Sequence, residues 1–439
     1  MFIPINREIV CILSLSFSVM LLFSSDLTVI NMQKTIVSSI SDDTPEVEVD
    51  GYTVTAVAYS LFAVSLLLGP YLSHAIGPKL TMIVSAFAYL SATVPYLVEN
   101  GWMIFGGAII NGIAAGFMYP AQGQYLIENS SPQTAARNVG IFWTMFRAST
   151  LWGNLFVYYI FYGKQYIDQY TRRTVLYFFM GINLLAIASL MILPKSSSDC
   201  KTEGYSPSKT VKTCWAILKS RKMLWLMFSF SYAGLQQAFG DGVYSITIGY
   251  TMALGNSAKE LVAVSGIIMS IGGLIGGVCI IVFATRIRRH RYARRSIFMI
   301  GCTSQVLAYL ITFINLPDTA VFGNTDQLSL INPSATLALT GSLLLTFGDS
   351  CLNTQIYSII AELFRESSAE ACAFYSFFKA VCIATSFYWC NHIGLQVQLV
   401  ILTVMALIGA FCFLVADNDI ATSICESKTA TQDTEASQR

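Results

Sequence analysis

The sequence predicts an all-α polytopic membrane protein with twelve transmembrane helices arranged as two six-helix pseudo-repeats. Two observations predict this class. The 439 residues are 54% hydrophobic and only 12% charged, whereas a soluble globular chain carries about 25% charged residues. Two segments of the chain also repeat each other, which is typical of membrane folds built from a duplicated unit.

Twelve apolar segments have the length of about 20 residues that spans a hydrocarbon core as a helix. They cover residues 9–30, 53–73, 80–98, 102–125, 140–162, 174–193, 223–250, 261–284, 296–314, 336–361, 371–392 and 397–415. The division that follows is an N-terminal six-helix bundle over 1–193, a cytosolic linker loop over 194–222, a C-terminal bundle over 223–415 and a tail over 416–439. The tail is polar and rich in Thr, Ser and Glu, so we expect it to be disordered.

The repeat places charged side chains at matching positions of the two halves. Residues 142–148 and 374–380 share an aromatic, hydroxyl-bearing, then basic order, so Arg147 and Lys379 correspond. Asp26 and Asp241 follow similar short runs near the start of each half. An ionisable residue inside a membrane span is a functional hypothesis by default, because its insertion is costly.

Depth along the helices indicates which of these charges can meet. At 1.5 Å per residue, Asp26 and Asp241 lie roughly 25 Å from the cytosolic end, which makes them acids of the outer mouth, while Arg147 and Lys379 lie about 12 Å from it. The tenth span runs inward and brings Asp349 to about the level of Lys379, so we predict an Asp349–Lys379 pair. The partner of Arg147 is then either Asp349 across the cavity, a backbone carbonyl group or water.

Four amides complete the expected central cavity. Gln122 and Gln124 follow a glycine-rich stretch of the fourth span, and Asn353 and Gln355 lie near the equivalent level of the tenth. Each can serve cavity hydrogen bonding or only helix packing. The level that holds Arg147, Asp349 and Lys379 either binds an anionic group, gates ions, or contains a structural ion pair. The two aspartates are either proton acceptors for coupling or simply interfacial.

Orientation and chemistry follow from the remaining residues. Most of the 26 lysines and arginines fall in loops on the side of the two termini, which predicts that both termini are cytosolic. The net charge of +1 gives no electrostatic basis for nucleic-acid binding. Histidines and cysteines lack metal-ligand spacing. Because catalytic and phosphate-binding motifs are also absent from the sequence, we expect no metal, no cofactor and no enzyme.

The six-plus-six arrangement with a central loop resembles the major facilitator superfamily. The loop between the second and third spans departs from the signature of that superfamily, Gly-x-x-x-Asp-Arg-x-Gly-Arg-Arg. In residues 69–79 the acidic residue is absent, and Pro78 stands where a basic residue is expected. The fold is therefore transporter-like with a degraded transporter loop.

Several segments resemble the uncoordinated-93 family of ion-channel regulatory proteins. They are residues 51–53, 77–79, 121–124, 137–143, 153–155, 172–175, 348–349 and 354–357. This resemblance implies a multi-pass protein of the lipid bilayer that associates with a membrane channel or receptor subunit, since some members are accessory subunits of potassium channels and others are chaperones of immune receptors. The alternative is a secondary active transporter of a small, unidentified solute, with alternating access around Arg147, Asp349 and Lys379.

Overall fold

The computed structural model describes residues 7–44, 49–130, 134–162, 167–194, 217–255, 258–287, 293–364 and 368–437. Helices dominate this part of the chain, and one isolated parallel bridge joins Thr251 to Thr325. The first half contains α1 (Arg7–Asp43), α2 (Gly51–Ile76), α3 (Pro78–Val98), α4 (Gly101–Glu128), α5 (Ala135–Phe161) and α6 (Gln169–Ile192).

The second half begins with a broken segment. Helix α7 (Arg221–Ala238) passes through a π-helical turn (Phe239–Tyr244) into the short α8 (Ser245–Tyr250). The following helices are α9 (Ala258–Ile287), α10 (Ala293–Asn315), α11 (Ala335–Leu363), α12 (Ser368–Trp389) and α13 (Leu395–Ser437). Helical segments therefore occupy all twelve predicted positions.

Ten helices in the described ranges are long and apolar enough to cross a membrane. The other two predicted segments, α5 and the α7–α8 run, contain polar side chains such as Arg147, Asn154, Gln236 and Asp241. A polar face of this kind suits a helix that borders a cavity rather than lipid. The all-α membrane class is confirmed, while the count of twelve spans stays a prediction.

Local chemistry explains several helix ends. The Asp50 side chain caps α2 by accepting from the Thr53 backbone N–H at 3.0 Å, and Asn100 caps α4 in the same way. Such caps satisfy backbone donors that have no partner within the helix. Gly77 has φ +86°, a conformation that favours glycine, and Pro78 follows at the first position of α3, where its missing N–H costs no hydrogen bond.

Small residues bring α4 close to α2. A Cβ atom on Gly112 would overlap the Ala58 carbonyl oxygen, and one on Gly116 would overlap Ser65. The glycine-rich fourth span therefore serves close helix packing, as predicted for small residues at helical spacing.

The tail differs from its prediction. Helix α13 continues to Ser437, where the composition predicts disorder from 416. The sequence beyond Gly409 contains neither glycine nor proline, so nothing local ends the helix. The predicted linker, 194–222, lies largely outside the described residues.

Arg172 anchors the end of the first half that is remote from the chain termini. Its fully buried guanidinium pairs with Glu99 at 2.9 Å and Asp43 at 3.0 Å and donates to the Ser39 hydroxyl at 2.6 Å. The neighbouring Arg173 is 44% exposed and approaches Glu99 only to 3.8 Å. Two adjacent arginines thus have very different surroundings.

We expect Arg172→Ala to destabilise the protein strongly, because it removes the buried guanidinium that pairs with both Glu99 and Asp43. Breaking a buried pair costs about 3–5 kcal/mol, whereas Arg173→Ala should cost about 1 kcal/mol or less. Thermal unfolding of both variants in detergent checks this. Equal losses would contradict the assigned role of Arg172.

Candidate functional site

A cavity of about 760 Å³ lies between the two halves. Its wall reaches Val139 at the start of α5, Val278 near the end of α9 and Tyr357 near the end of α11. These three side chains are 37%, 57% and 40% exposed. The start of α5 contacts Glu8 near the N-terminus, since the Asn138 amide donates to it at 2.6 Å. The cavity therefore opens toward the end of the molecule that holds the termini.

The opposite end, which we call outer only because it is remote from the termini, is closed by a polar cluster that joins the halves. We call this cluster the outer latch (Lys34, Asp50, Thr53 and Asn391). Lys34 pairs with Asp50. The Asn391 amide, which follows α12, donates to Asp50 at 2.6 Å and to the Thr53 hydroxyl at 2.9 Å. Partial burial acts to raise the pKa of the Asp50 carboxyl, but Lys34 and the hydrogen bonds from Thr53 and Asn391 outweigh it and hold that pKa below its usual value.

An ion pair crosses between the halves deeper in the molecule. Arg147 on α5 donates to the Asp349 carboxylate on α11 at 2.6 Å. The second oxygen of Asp349 accepts from the amides of Gln236 and Asn353, and Gln305 donates to Gln236 at 2.7 Å. Asp349 is buried, while the Arg147 side chain is 37% exposed. The pair therefore borders the cavity on the Arg147 side.

The predicted Asp349–Lys379 pair is wrong. Lys379 instead donates to the Asn353 amide oxygen at 2.9 Å, and its ammonium lies 5.4 Å from the centre of the Tyr375 ring. Arg147, Gln236 and Asn353 already occupy the Asp349 carboxylate, which leaves Lys379 the amide oxygen. Arg147 takes one of its predicted alternatives, Asp349 across the cavity.

Asp26 and Asp241 both lie on the wall of this same cavity, whereas their predicted place is the outer mouth. The Asn111 amide donates to Asp26 at 2.7 Å. Asp241 lies in the π-helical turn, a feature often found at functional sites. Helix α1 continues to Asp43 rather than to 30, so Asp26 comes near its middle and lies beneath the outer latch.

Three of the four predicted amides do not reach the cavity. On α4 the cavity wall ends at Tyr119, one turn before Gln122, which is only 3% exposed. Gln124 accepts from Ser73 at 2.6 Å and donates to Glu128 at 2.7 Å. Gln355 is 6% exposed and lies away from the cavity wall. Asn353 alone of the four lines it.

Sequence reasoning missed several members of the site. Asn111, Asn154, Gln237, Tyr59 and Tyr119 all line the cavity. Asn111 and Asn154 interrupt otherwise apolar runs, and a lone amide within a membrane span is a usable signal. The two tyrosines gave no such signal, because an aromatic residue in a membrane span is also typical of packing against lipid or against other helices.

The outer latch predicts an acid-sensitive closure. The pKa of Asp50 is depressed in the closed state. Ionised Asp50 therefore stabilises the closed state fully above the usual pKa of 3.8, and this stabilisation is lost as the pH falls further. Dyes at Trp102 and Leu328, exposed at the outer ends of the two halves, should show constant energy transfer down to about pH 4 and a loss below it. Opening near neutral pH would contradict this.

At neutral pH, Asp50→Asn should open the same labelled protein by removing the anionic partner of Lys34. The matched control is Asn324→Ala, which removes the 2.8 Å bond from Lys259 within the second half alone and should leave the energy transfer unchanged. An equal effect of both variants would count against the outer latch as the closure.

The Arg147–Asp349 pair predicts non-additive variants. Arg147→Gln and Asp349→Asn should each lower the thermal unfolding temperature, because each leaves one charge without its partner. The loss should fall below the 3–5 kcal/mol typical of fully buried pairs, since Arg147 is partly solvated. The double variant should be more stable than the sum of the single effects predicts; strict additivity would mean that the pair is not coupled.

Comparison with known proteins identifies the family to which this chain is similar. Residues 45–414 match the family model of the ion channel regulatory protein UNC-93. UNC93-like protein MFSD11 of Xenopus laevis is 31% identical, over 93% of this chain and 96% of that protein. The putative potassium channel regulatory protein unc-93 of Caenorhabditis elegans is 23% identical, over 92% of this chain and 60% of that protein. The sequence-based resemblance to the uncoordinated-93 family is confirmed, and MFSD11 is among the relatives that this chain resembles.

Solved structures show the same fold at low identity. The nucleoside transporter NupG has a TM-score of 0.66 at 14% identity, over 92% of this chain and 98% of its own. A bacterial homologue of the human lysosomal transporter Spinster, in an inward-facing and unoccupied conformation, has a TM-score of 0.62 at 11% identity, over 95% and 98% of the two chains. The fold is thus of the major-facilitator type, and the chain belongs to the UNC-93 family.

Proposed function

We propose that this chain is a non-enzymatic regulatory or accessory subunit that binds a channel or receptor through its membrane helices. The observation that carries the proposal is the family match over residues 45–414, because the family and its nematode member are named for channel regulation. Fold alone would not favour it, since one fold serves unrelated functions.

The segment that corresponds to the transporter loop signature, residues 69–79, supports this function. Lys79 donates to the backbone carbonyl oxygens of Met191 at 2.8 Å and Leu193 at 2.5 Å, at the end of α6. A cation at this place complements the negative end of the helix dipole. This segment therefore binds within its own half through Lys79, and the acid of the transporter signature is absent from it.

The cavity supports a second candidate function, secondary transport of a small solute. It is closed by the outer latch and opens toward the termini, which is one of the two arrangements that alternating access requires. Lys379 lines it, and among the described residues no carboxylate lies within ion-pair distance of its ammonium. An ammonium group without a carboxylate partner can bind an anionic group of a solute.

Lys379→Met separates the two functions. If the chain is an accessory subunit, capture of the tagged variant in mild detergent should recover the same near-stoichiometric channel or receptor as the wild type, within about twofold. If it is a transporter, the variant should lose solute uptake in liposomes. Arg173→Met, which removes a half-exposed arginine outside the cavity, is the matched control and should change neither result.

Recovery of the chain without a channel or receptor would contradict the accessory function. Full uptake by Lys379→Met liposomes would contradict the site assigned for transport.

We also propose that both termini are cytosolic, from the distribution of Lys and Arg. Protection of an N-terminal and a C-terminal tag from external protease in intact cells supports that orientation, and cleavage of either tag contradicts it.

A further inference from the structure

The cavity contains a second charged region that the regulatory function does not explain. Asp26 of the first half and Asp241 of the second half both line it. Within the described ranges, neither carboxylate has a cationic side chain within ion-pair distance. Asp26 accepts from Asn111, and Asp241 lies one helical turn after Gln237, which also lines the cavity. Two carboxylates thus face one cavity without a cationic partner in the described part of the chain.

The charge of the cavity region is not balanced. Asp26, Asp241 and Asp349 are acidic, whereas Arg147 and Lys379 are basic. When all five groups are ionised, one negative charge remains. Among membrane helices such an excess is costly, and either protonation of one carboxylate or a bound cation removes it. One monovalent cation would balance the five groups.

Unpaired oxygen atoms of buried amides give a second, independent indication of a ligand. The Asn183 side chain donates to Ser25, next to Asp26, at 3.3 Å, but its oxygen has no partner in the described part of the chain. The Asn31 oxygen is in the same state. Both residues are over nine-tenths buried and line the cavity. Amide oxygens accept hydrogen bonds, so these groups call for a donor.

The rings around the acids favour an organic cation over a metal ion. Tyr59, Phe62 and Tyr119 form a continuous strip on the cavity wall, with ring centres 6.0 and 5.5 Å apart. Aromatic faces attract organic cations. No group of three or more His, Cys, Asp or Glu that could hold a metal occurs among the described residues. The cavity volume of about 760 Å³ is that of a small-molecule site.

We propose that the cavity binds a small protonated amine, whose ammonium group lies between Asp26 and Asp241 against the aromatic strip. The Asn31 and Asn183 oxygens accept its N–H donors, directly or through water. The site draws one carboxylate from each half, so a bound amine connects the halves beneath the outer latch. This binding site is independent of the proposed regulatory function and does not require transport.

Calorimetry on the purified full chain, with simple probes, tests the site. Benzylammonium should bind in the millimolar range expected for a fragment of this size and raise the unfolding temperature. Its neutral isostere benzyl alcohol and the anion benzoate should bind at least tenfold more weakly. Sodium chloride, exchanged for potassium chloride at constant ionic strength, distinguishes an inorganic cation and should cause no stabilisation.

Variants locate the binding. Asp26→Asn and Asp241→Asn should each weaken benzylammonium binding at least tenfold, while Asp326→Asn, in an exposed outer loop, should not. Lys379→Met should tighten it, because the variant removes a repelling cation. Equal binding of benzyl alcohol, stabilisation by sodium alone, or no binding of benzylammonium to the wild type would each overturn the proposal, and none of these results depends on whether an Asp variant folds.

Discussion

The Arg147–Asp349 ion pair is the interaction on which the arrangement of the two halves depends. It joins α5 of the first half to α11 of the second at 2.6 Å, in a region where an unpaired charge is expensive. The network from Asn353 through Asp349 and Gln236 to Gln305 fixes the carboxylate. Separation of the halves at this level would require solvation or a replacement partner for both charges, so the pair sets how far the central cavity can open.

The outer latch and this pair are two contacts between the halves, and the cavity between the halves is lined by Asp26, Asp241 and the aromatic strip. Asp26 and Asp241 come from corresponding helices, yet they meet one shared space rather than two separate mouths. Small residues make the approach of the halves feasible, for example Gly266 on α9, where an added Cβ would overlap the Asn154 side chain on α5. The same geometry serves a regulatory subunit held in one conformation or a protein that changes between two.

The composition and the apolar segments predicted the class of the fold and the approximate place of the long helices, while the correspondence of Arg147 and Lys379 stays a prediction from the repeat. The repeat did not predict which carboxylate each would meet, because spacing along a helix gives depth but not the lateral order of helices. Asp26 was misplaced because the end of α1 cannot be read from a polar run that stays helical. The π-helical turn at Asp241 was out of reach as well, since no residue in Phe239–Tyr244 signals a widened turn.

The repeat is also incomplete, since the position that corresponds to Asp349 in the first half is Phe117. The first half therefore supplies the guanidinium and the second half supplies its only carboxylate within the described ion pairs. The two residues are separated by 202 positions, so at 5–20 residues per second a ribosome exposes Arg147 roughly 10–40 s before Asp349 exists. During biogenesis the N-terminal bundle is thus an unfinished membrane domain with an unmet charge, and completion of the C-terminal bundle becomes the step that marks a correctly assembled chain.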